Sequence, residues 1–242
     1  ELQNLLPNES YVFFADQCNV PYGEKTKEEL VVLTTRIMQF LTSQDIKMAV
    51  VACNTATCYA LEELRNIFSL PIVGVVPAIK SAAEQTKTNI IALIATPATV
   101  RSSYVTDLIN KFAQNLKVLR VGCPGLEDSI EKGQLESEKT STLLNMYILP
   151  LKEEGIDQLV LGCTHYPFLK EKIVTILGPT VTLVDSGRPV AKRVEALLNE
   201  HNLKTSASNS LNRFFTNKDA DDFSRVASML LGRQITANFV SI

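Results

Sequence analysis

The chain has 242 residues, of which 45% are hydrophobic and 21% charged, and its formal net charge is −2. These values are typical of soluble globular proteins and argue against disorder, while the lack of a basic excess argues against a nucleic-acid partner. Apolar runs stay short of the roughly 18 residues that a membrane-spanning helix needs. The N-terminus also lacks the charged segment followed by an apolar segment that is typical of a signal peptide. We therefore expect a cytoplasmic protein without a nucleic-acid or membrane partner.

The predicted elements of the first half alternate between short apolar runs and helical stretches. Strands are predicted at residues 10–15, 48–52, 72–76 and 90–94. A helix follows the first strand and begins at a capping box of Thr26 and Glu29. Further helices are predicted after Cys53, near residues 80–85, and from about Pro97.

The second half continues the alternation. Strands are predicted at residues 117–121, 158–162, 181–184, 213–216 and 235–240, and helices near 140–152, after Pro167, after Pro189 and up to Gly232. Short apolar strands separated by amphipathic helices indicate an α/β fold with mainly parallel sheets covered by helices. Asp185-Ser186-Gly187 is interpreted as a helix start.

The cysteines form an odd set without a C-x-x-C pair, so free thiols are expected. They are Cys18, Cys53, Cys58, Cys123 and Cys163. With only two histidines, His165 and His201, a Cys/His zinc site would need an unusual arrangement, and we expect no metal. Cys58 and Cys123 are interpreted as structural, whereas the role of Cys18 stays open.

Two segments of the chain share one design. Residues 49–55 and 159–165 each consist of an apolar strand that ends in a cysteine, Cys53 or Cys163, followed by polar residues and a helix. Ligands of open parallel sheets bind beyond the carboxyl ends of the strands. Helix N-termini also lower thiol pKa values and attract carboxylates. The spacing of the cysteines, about one domain length, suggests two similar halves that each contribute one thiol.

Two facing thiols suit racemisation at Cα. One base removes the proton from one face, an acid returns it on the other, and a thiolate and a thiol can exchange these roles at each turnover. The carbanion that develops needs preorganised donors, which Asn54, Thr55 and Thr164 can supply. His165 lies two residues from one thiol, where it can tune the pKa of that thiol or relay a proton.

The chain resembles bacterial glutamate racemases of the aspartate/glutamate racemase superfamily. The resemblance covers essentially the whole chain and depends on Pro21-Tyr22-Gly23, residues 52–56 and, most specifically, residues 161–167. It implies two similar α/β domains with the active site in the cleft between them, no cofactor, a homodimer, and D-glutamate production for peptidoglycan, cell-wall biogenesis and cell shape. The first domain would comprise residues 1–76 plus 187–242, and the second residues 77–186.

The resemblance also implies roles for individual residues. Cys53 would deprotonate D-glutamate, and Cys163 would deprotonate L-glutamate with help from His165. Glu131 falls where the family has a carboxylate near the catalytic groups, although the residues alone favour a solvated helix equally. The substrate would be held by Tyr22, Gly23, Asn54, Thr55, Thr96, Thr99, Thr164 and His165.

One departure from the family leaves alternatives open. The family begins with a strand ending in Asp-Ser-Gly, whereas this sequence starts at Glu1, beyond that strand, and we expect a short segment to precede it. Without that segment the chain would be a non-catalytic binding protein. A racemase for aspartate or a hydantoin is the nearest rival, but His165 argues against aspartate. A thiol redox enzyme or cysteine hydrolase is disfavoured because C-x-x-C is lacking.

Overall fold

The computed structural model describes residues 1–207 and 209–242, in which helices alternate with strands. The strands are β1 (Tyr11–Ala15), β2 (Ala49–Val51), β3 (Ile72–Gly74), β4 (Ile90–Ala95), β5 (Lys117–Gly122), β6 (Gln158–Leu161), β7 (Thr182–Val184), β8 (Asn212–Thr216) and β9 (Ala237–Phe239). Every strand pair is parallel. The predicted α/β class with parallel sheets is confirmed.

The helices cover the sheets. They are α1 (Leu2–Leu5), α2 (Lys27–Thr42), α3 (Asn54–Ile67), α4 (Ile79–Gln85), α5 (Pro97–Arg101), α6 (Ser103–Phe112), α7 (Leu126–Glu131), α8 (Glu138–Glu153), α9 (Lys170–Leu177), α10 (Gly187–Glu200) and α11 (Ala220–Leu231). Short 3-10 helices lie at Tyr22–Glu24 and Tyr166–Leu169. Within the described part of the chain, no helix combines the length and apolar character needed to cross a membrane.

The chain forms two compact units. The first consists of Glu1–Val51, Tyr59–Val75 and Gly187–Ile242, and the second of Ala52–Cys58 and Val76–Ser186. The domain division expected from the sequence stays a prediction. The units differ from it chiefly at Ala52–Cys58, which contains Cys53 and groups with the second unit because its residues contact that unit.

The first unit contains two parallel sheets, of order β1-β8-β9 and β2-β3. Helix α2 packs on both of them. Its Phe40 ring lies 5.5 Å from the Phe14 ring of β1 and 5.2 Å from the Phe215 ring of β8, and its Met38 joins a core cluster with Ala49 of β2. The amphipathic pattern of α2 therefore covers one face of each sheet.

The second unit has one four-stranded sheet of order β5-β4-β6-β7. The central strands β4 and β6 are nearly free of solvent exposure, as expected for strands covered on both faces by helices. Because the strands are parallel, their carboxyl ends lie along one edge. The segments that follow β4 and β6, including Thr96 and Cys163, therefore leave the sheet at the same edge.

One helix boundary differs from the sequence expectation, and another agrees with it. The helix predicted from Pro97 breaks at Ser102, whose backbone is extended and whose hydroxyl caps α6 by accepting from the Val105 N–H at 3.2 Å. Helix α10 begins at Gly187, in agreement with the interpretation of Asp185-Ser186-Gly187 as a helix start, and it accommodates Pro189 because the first helical turn needs no N–H partner.

Candidate active site

Cys53 lies in the second unit, between strand β2 and helix α3. Its Sγ accepts from the Ala56 N–H at 3.5 Å, and its carbonyl accepts from the Thr57 N–H at 2.9 Å. Burial raises the pKa of the Cys53 thiol, and nearby Cys163 raises it further, against a lowering by the Ala56 N–H. The first turn of α3 thus partly stabilises a Cys53 thiolate whose environment otherwise favours the protonated thiol.

Cys163 is positioned by Gly162, which brings the end of β6 close to β4. A Cβ atom on Gly162 would lie 2.6 Å from Leu93 Cδ1 and 2.9 Å from the Ala95 Cβ. The Gly162 N–H donates to the Ile94 carbonyl at 2.8 Å. Only glycine fits this approach, and the residue after it, Cys163, is buried with 8% of its surface exposed.

His165 links Cys163 to Glu131. Its Nδ1 lies 3.7 Å from Cys163 Sγ, and its Nε2 lies 2.6 Å from Glu131 Oε1. Although burial lowers the pKa of His165, its hydrogen bonds with Cys163 and Glu131 outweigh burial and hold that pKa well above the usual value. The imidazolium form is therefore favoured, and it places a positive charge beside the Cys163 sulfur.

Three buried threonine hydroxyls form a closed triangle. Thr55 Oγ1 lies 2.9 Å from Thr96 Oγ1 and 3.0 Å from Thr99 Oγ1, and the latter two are 3.0 Å apart. Thr96 also caps helix α5 by accepting from the Thr99 N–H at 3.3 Å. The structure thus brings Thr96 and Thr99, from the turn after β4, against the segment that carries Cys53.

The side chain of Asn54 is buried without a hydrogen-bond partner. Asn54 is 3% exposed, and neither Nδ2 nor Oδ1 is paired within residues 1–207 and 209–242. An unsatisfied buried polar group costs about 1–3 kcal/mol. A donor and an acceptor held in this state next to Cys53 are suited to a bound polar ligand.

Thr164 joins the segments of the two cysteines. Its hydroxyl donates to the carbonyl of Ala52 at 2.9 Å. Ala52 directly precedes Cys53 and Thr164 directly follows Cys163, so this hydrogen bond ties the two cysteine segments of the second unit together. Because the hydroxyl hydrogen is used here, the oxygen lone pairs remain for a ligand.

Tyr22 and Gly23 lie in the first unit, within the 3-10 helix Tyr22–Glu24. The Val20–Pro21 peptide bond before them is cis. The hydroxyl of Tyr22 donates to Asp16 Oδ2 at 2.5 Å. Sequence reasoning did not single out Asp16, although its place just before the Pro-Tyr-Gly segment was visible.

The remaining thiols have environments that differ from that of Cys163. Burial raises the pKa of Cys58 to about 11 and that of Cys123 to about 12, which agrees with their structural interpretation. Cys18 is exposed, and its Sγ donates to the carbonyl of Asn217 at 2.8 Å. Across the described residues, no group of three or more His, Cys, Asp or Glu side chains is arranged for a metal ion.

Comparisons with known proteins find relatives over nearly the whole chain. The Asp/Glu/Hydantoin racemase family matches residues 2–194. The glutamate racemase of Ectopseudomonas mendocina (strain ymp) is 40% identical over 235 residues, covering 97% of this chain and 89% of its own. That of Herpetosiphon aurantiacus is 41% identical over 231 residues, covering 95% of this chain and 91% of its own.

Solved structures match the whole chain. The glutamate racemase of Bacillus anthracis superimposes with a TM-score of 0.91 at 32% identity, covering 100% of this chain and 91% of its own. The Escherichia coli glutamate racemase, solved with L-glutamate and the activator UDP-MurNAc-ala, gives a TM-score of 0.88 at 32% identity, covering 99% and 91% of the two chains.

Proposed function

Because this chain belongs to the Asp/Glu/Hydantoin racemase family, we propose that it is a glutamate racemase that interconverts L- and D-glutamate by two cysteines and without a cofactor. The resemblance inferred from the sequence is confirmed by relatives that are themselves named glutamate racemases. Support for the substrate comes from those names and from the Escherichia coli structure with bound L-glutamate.

The observation that carries the mechanism is the contact series from Glu131 through His165 to Cys163. It gives one thiol a cationic neighbour, and Cys53, at the matching strand end, interacts electrostatically with both Cys163 and His165. A pair of interacting thiols at the ends of parallel strands supports a two-base proton exchange better than a redox or hydrolytic reaction.

In the proposed reaction, one cysteine removes a proton from Cα and the other cysteine returns a proton to it. From D-glutamate, the Cys53 thiolate takes the α-proton to leave a carbanion, and the Cys163 thiol donates its proton to the opposite face of Cα. The product is L-glutamate, with Cys53 now a thiol and Cys163 a thiolate. L-glutamate reacts in reverse, so each turnover exchanges the protonation states of the two cysteines.

The positive charge of His165 acts on one half of this cycle. When Cys163 becomes a thiolate, the imidazolium beside its sulfur stabilises the negative charge, and Glu131 keeps the imidazole protonated and oriented. The raised pKa of His165 is the consequence of these two contacts. His165 is thus the group proposed to assist Cys163 when it serves as the base.

The substrate's polar groups need partners. Asn54 supplies an unpaired buried donor and acceptor next to Cys53, and the threonine triangle of Thr55, Thr96 and Thr99 keeps hydroxyl oxygens nearby. We assign Thr164, His165, Tyr22 and Gly23 to the substrate as the resemblance implies. Preorganised donors of this kind stabilise charge as it develops in the carbanion.

We propose the physiological role from the same resemblance. D-glutamate made by a bacterial racemase would supply peptidoglycan, and hence cell-wall biogenesis and cell shape. A cytoplasmic homodimer is the expected form of such an enzyme. Size-exclusion chromatography with light scattering tests the dimer, and a monomer at all concentrations would contradict it.

The test of the reaction is α-proton exchange in deuterated water. The natural full-length protein is incubated with L- or D-glutamate, and NMR follows both the loss of the Cα proton signal and the appearance of the other enantiomer. We expect deuterium incorporation with racemisation, and loss of racemisation in Cys53→Ser and in Cys163→Ser. Cys18→Ser, a matched change of an exposed thiol, should retain the wild-type rate.

Other outcomes would replace the proposal. Exchange with aspartate or a hydantoin in place of glutamate would change the substrate but keep the mechanism. Tight binding of glutamate without exchange would indicate a binding protein on a racemase fold. Racemisation that survives in either cysteine variant would contradict the two-thiol mechanism.

A further inference from the structure

The carboxylate of Asp16 accepts hydrogen bonds from three side chains. Asn19 Nδ2 donates to Oδ1 at 2.7 Å, Asn217 Nδ2 donates to Oδ1 at 2.5 Å, and the Tyr22 hydroxyl donates to Oδ2 at 2.5 Å. All four residues belong to the first unit. Hydrogen bonds to an ionised carboxylate are shorter and roughly twice as strong as neutral ones. Both oxygens of Asp16 therefore accept hydrogen bonds, Oδ1 from the two asparagines and Oδ2 from Tyr22.

Asn217 fixes this carboxylate from a distant part of the sequence. It follows strand β8, 201 residues after Asp16, and its Oδ1 accepts from the Cys18 N–H at 3.0 Å while its Nδ2 reaches Asp16. One side-chain amide thus uses both of its ends on the loop after β1. That loop leads directly to Tyr22, so its conformation determines the position of the Tyr22 backbone.

The contact with Asp16 determines how Tyr22 is presented. Because the hydroxyl hydrogen points to Asp16 Oδ2, the phenol ring has a fixed direction and its oxygen offers only lone pairs elsewhere. Tyr22 also opens the single-turn 3-10 helix that contains Gly23. Anchoring the hydroxyl therefore restrains both the ring and the backbone of Tyr22 and Gly23.

We propose that Asp16, held by Asn217, is a positioning residue that orients Tyr22 for substrate binding. The inference rests on the proposed function, which assigns Tyr22 and Gly23 to the substrate. Asp16 acts through the tyrosine hydroxyl and has no part in proton transfer. Its loss should therefore weaken binding and raise KM, while kcat changes little.

Asp16→Asn is a sharp probe because an amide cannot serve all three donors. If its NH2 group faces Asn19 and Asn217, two donors meet a donor. If it faces Tyr22, the hydroxyl must turn and become the acceptor, and its hydrogen leaves the position it holds in the wild type. In the first orientation the amide oxygen still accepts from Tyr22, but the two opposed asparagine donors push the side chain away; in the second the tyrosine loses its acceptor. Both orientations therefore weaken the hold on Tyr22 while the side chain keeps its size.

The experiment is a double-mutant cycle with Asp16→Asn and Tyr22→Phe. We expect each single variant to raise KM for glutamate roughly tenfold, the effect of losing one charge-assisted hydrogen bond. The double variant should be no worse than Tyr22→Phe alone within about twofold, because Asp16 then has no hydroxyl to orient. Asn19→Ala removes a donor from the same carboxylate without touching Tyr22 and should stay near the wild-type KM.

Binding and folding are measured beside the kinetics. Glutamate titrated calorimetrically into Cys53→Ser/Cys163→Ser protein, with and without Asp16→Asn, should show a Kd weakened to the same extent as KM. Thermal unfolding tests whether each variant folds. If Asp16→Asn does not fold, Asn217→Ala offers a second way to release Asp16 and so to weaken the positioning of Tyr22.

The outcomes separate this inference from the function on which it depends. Multiplicative effects of Asp16→Asn and Tyr22→Phe on KM, or a fall in kcat at constant KM, would overturn the positioning role while racemisation by the wild type stands. A wild-type protein that neither binds nor racemises glutamate would overturn both.

Discussion

At the scale of single residues, the two candidate catalytic thiols have unlike neighbours. Cys163 faces an imidazole that is itself bound to a carboxylate, whereas Cys53 has the Ala56 N–H and the start of a helix. Because L- and D-glutamate have equal free energies, kcat/KM must be the same in both directions whatever these neighbours do. The asymmetry can therefore appear only in kcat and KM taken separately and in which proton transfer limits the rate.

Glu131→Gln tests this asymmetry. Without the carboxylate, the pKa of His165 falls, so the imidazolium that assists Cys163 is lost at lower pH. We expect kcat to fall roughly tenfold, which corresponds to about 1.4 kcal/mol of lost transition-state stabilisation, and the alkaline limb of its pH profile to move to lower pH. The primary isotope effect should rise with α-deuterated L-glutamate and fall with the D enantiomer.

The control is Asp128→Asn, which makes the same change of charge in the first turn of the same helix. It should leave the isotope effects and the pH profile unaltered. Equal isotope effects in Glu131→Gln and the wild type would show that the Glu131 carboxylate does not act through Cys163.

How far the sequence predicts such residues depends on how local their contacts are. Cys163 and His165 were recognised because they are two residues apart, and the matching turn pointed to Cys53. Glu131 needed the family resemblance, since its contact with His165 joins positions 34 residues apart. Asp16 and Asn217 were missed because their hydrogen bond spans 201 residues and neither lies in a motif.

At the scale of the elements, the approach of β6 to β4 determines where Cys163 leaves the sheet. Gly162 permits this approach because a Cβ atom would meet Leu93 and Ala95 at less than 3 Å. Side chains of the central strand would have to move to accept a larger residue. The position of Cys163 thus depends on a glycine that has no chemistry of its own.

Gly162→Ala should therefore damage both the fold and the reaction. We expect the free energy of unfolding to fall by about 1–3 kcal/mol from overpacking, and kcat to fall about 100-fold if Cys163 moves by roughly 1 Å. Gly178→Ala is the control for the rate, since its Cβ has nothing within 4 Å. Its φ of 83° adds backbone strain of about 1–3 kcal/mol, but the variant should keep the wild-type rate. Urea unfolding and racemisation rates measure the two effects, and a full rate in Gly162→Ala would refute the argument.

Element type was predictable from periodicity, whereas some boundaries were not. The buried runs that became β4 and β6 have the uniform hydrophobicity of strands covered on two faces. The break between α5 and α6 escaped prediction because serine is tolerated inside a helix, and only the hydrogen bonds of Ser102 with Thr99 and Val105 show its capping role.

At the scale of the whole molecule, one partly buried ion pair joins distant segments of the first unit. Glu9, 6% exposed, binds Lys47 Nζ at 2.6 Å and accepts from the Thr205 N–H at 2.8 Å. Lys47 Nζ also donates to the Leu203 carbonyl at 2.5 Å. These contacts connect three segments that are distant in sequence: the residues before β1, the residues before β2 and the residues that follow α10.

Glu9→Gln should lower the free energy of unfolding by about 2 kcal/mol. Breaking a buried pair costs about 3–5 kcal/mol, but the Lys47 side chain is 39% exposed and solvent screens part of the loss. Glu62→Gln breaks a surface pair with Arg65 and should cost less than about 0.5 kcal/mol. Equal losses in the two variants, measured by urea unfolding, would contradict the structural role of Glu9.

The parallel pairing of β1 with β8 has a consequence for how the protein is made. Phe14 pairs with Phe215, so a ribosome adding about 5–20 residues per second leaves β1 waiting roughly 10–40 s for its partner. The sheet of the second unit is complete once β7 emerges. We expect this half to mature first on the nascent chain, while the aromatic edge of β1 stays open to chaperones until the last part of the tail is translated.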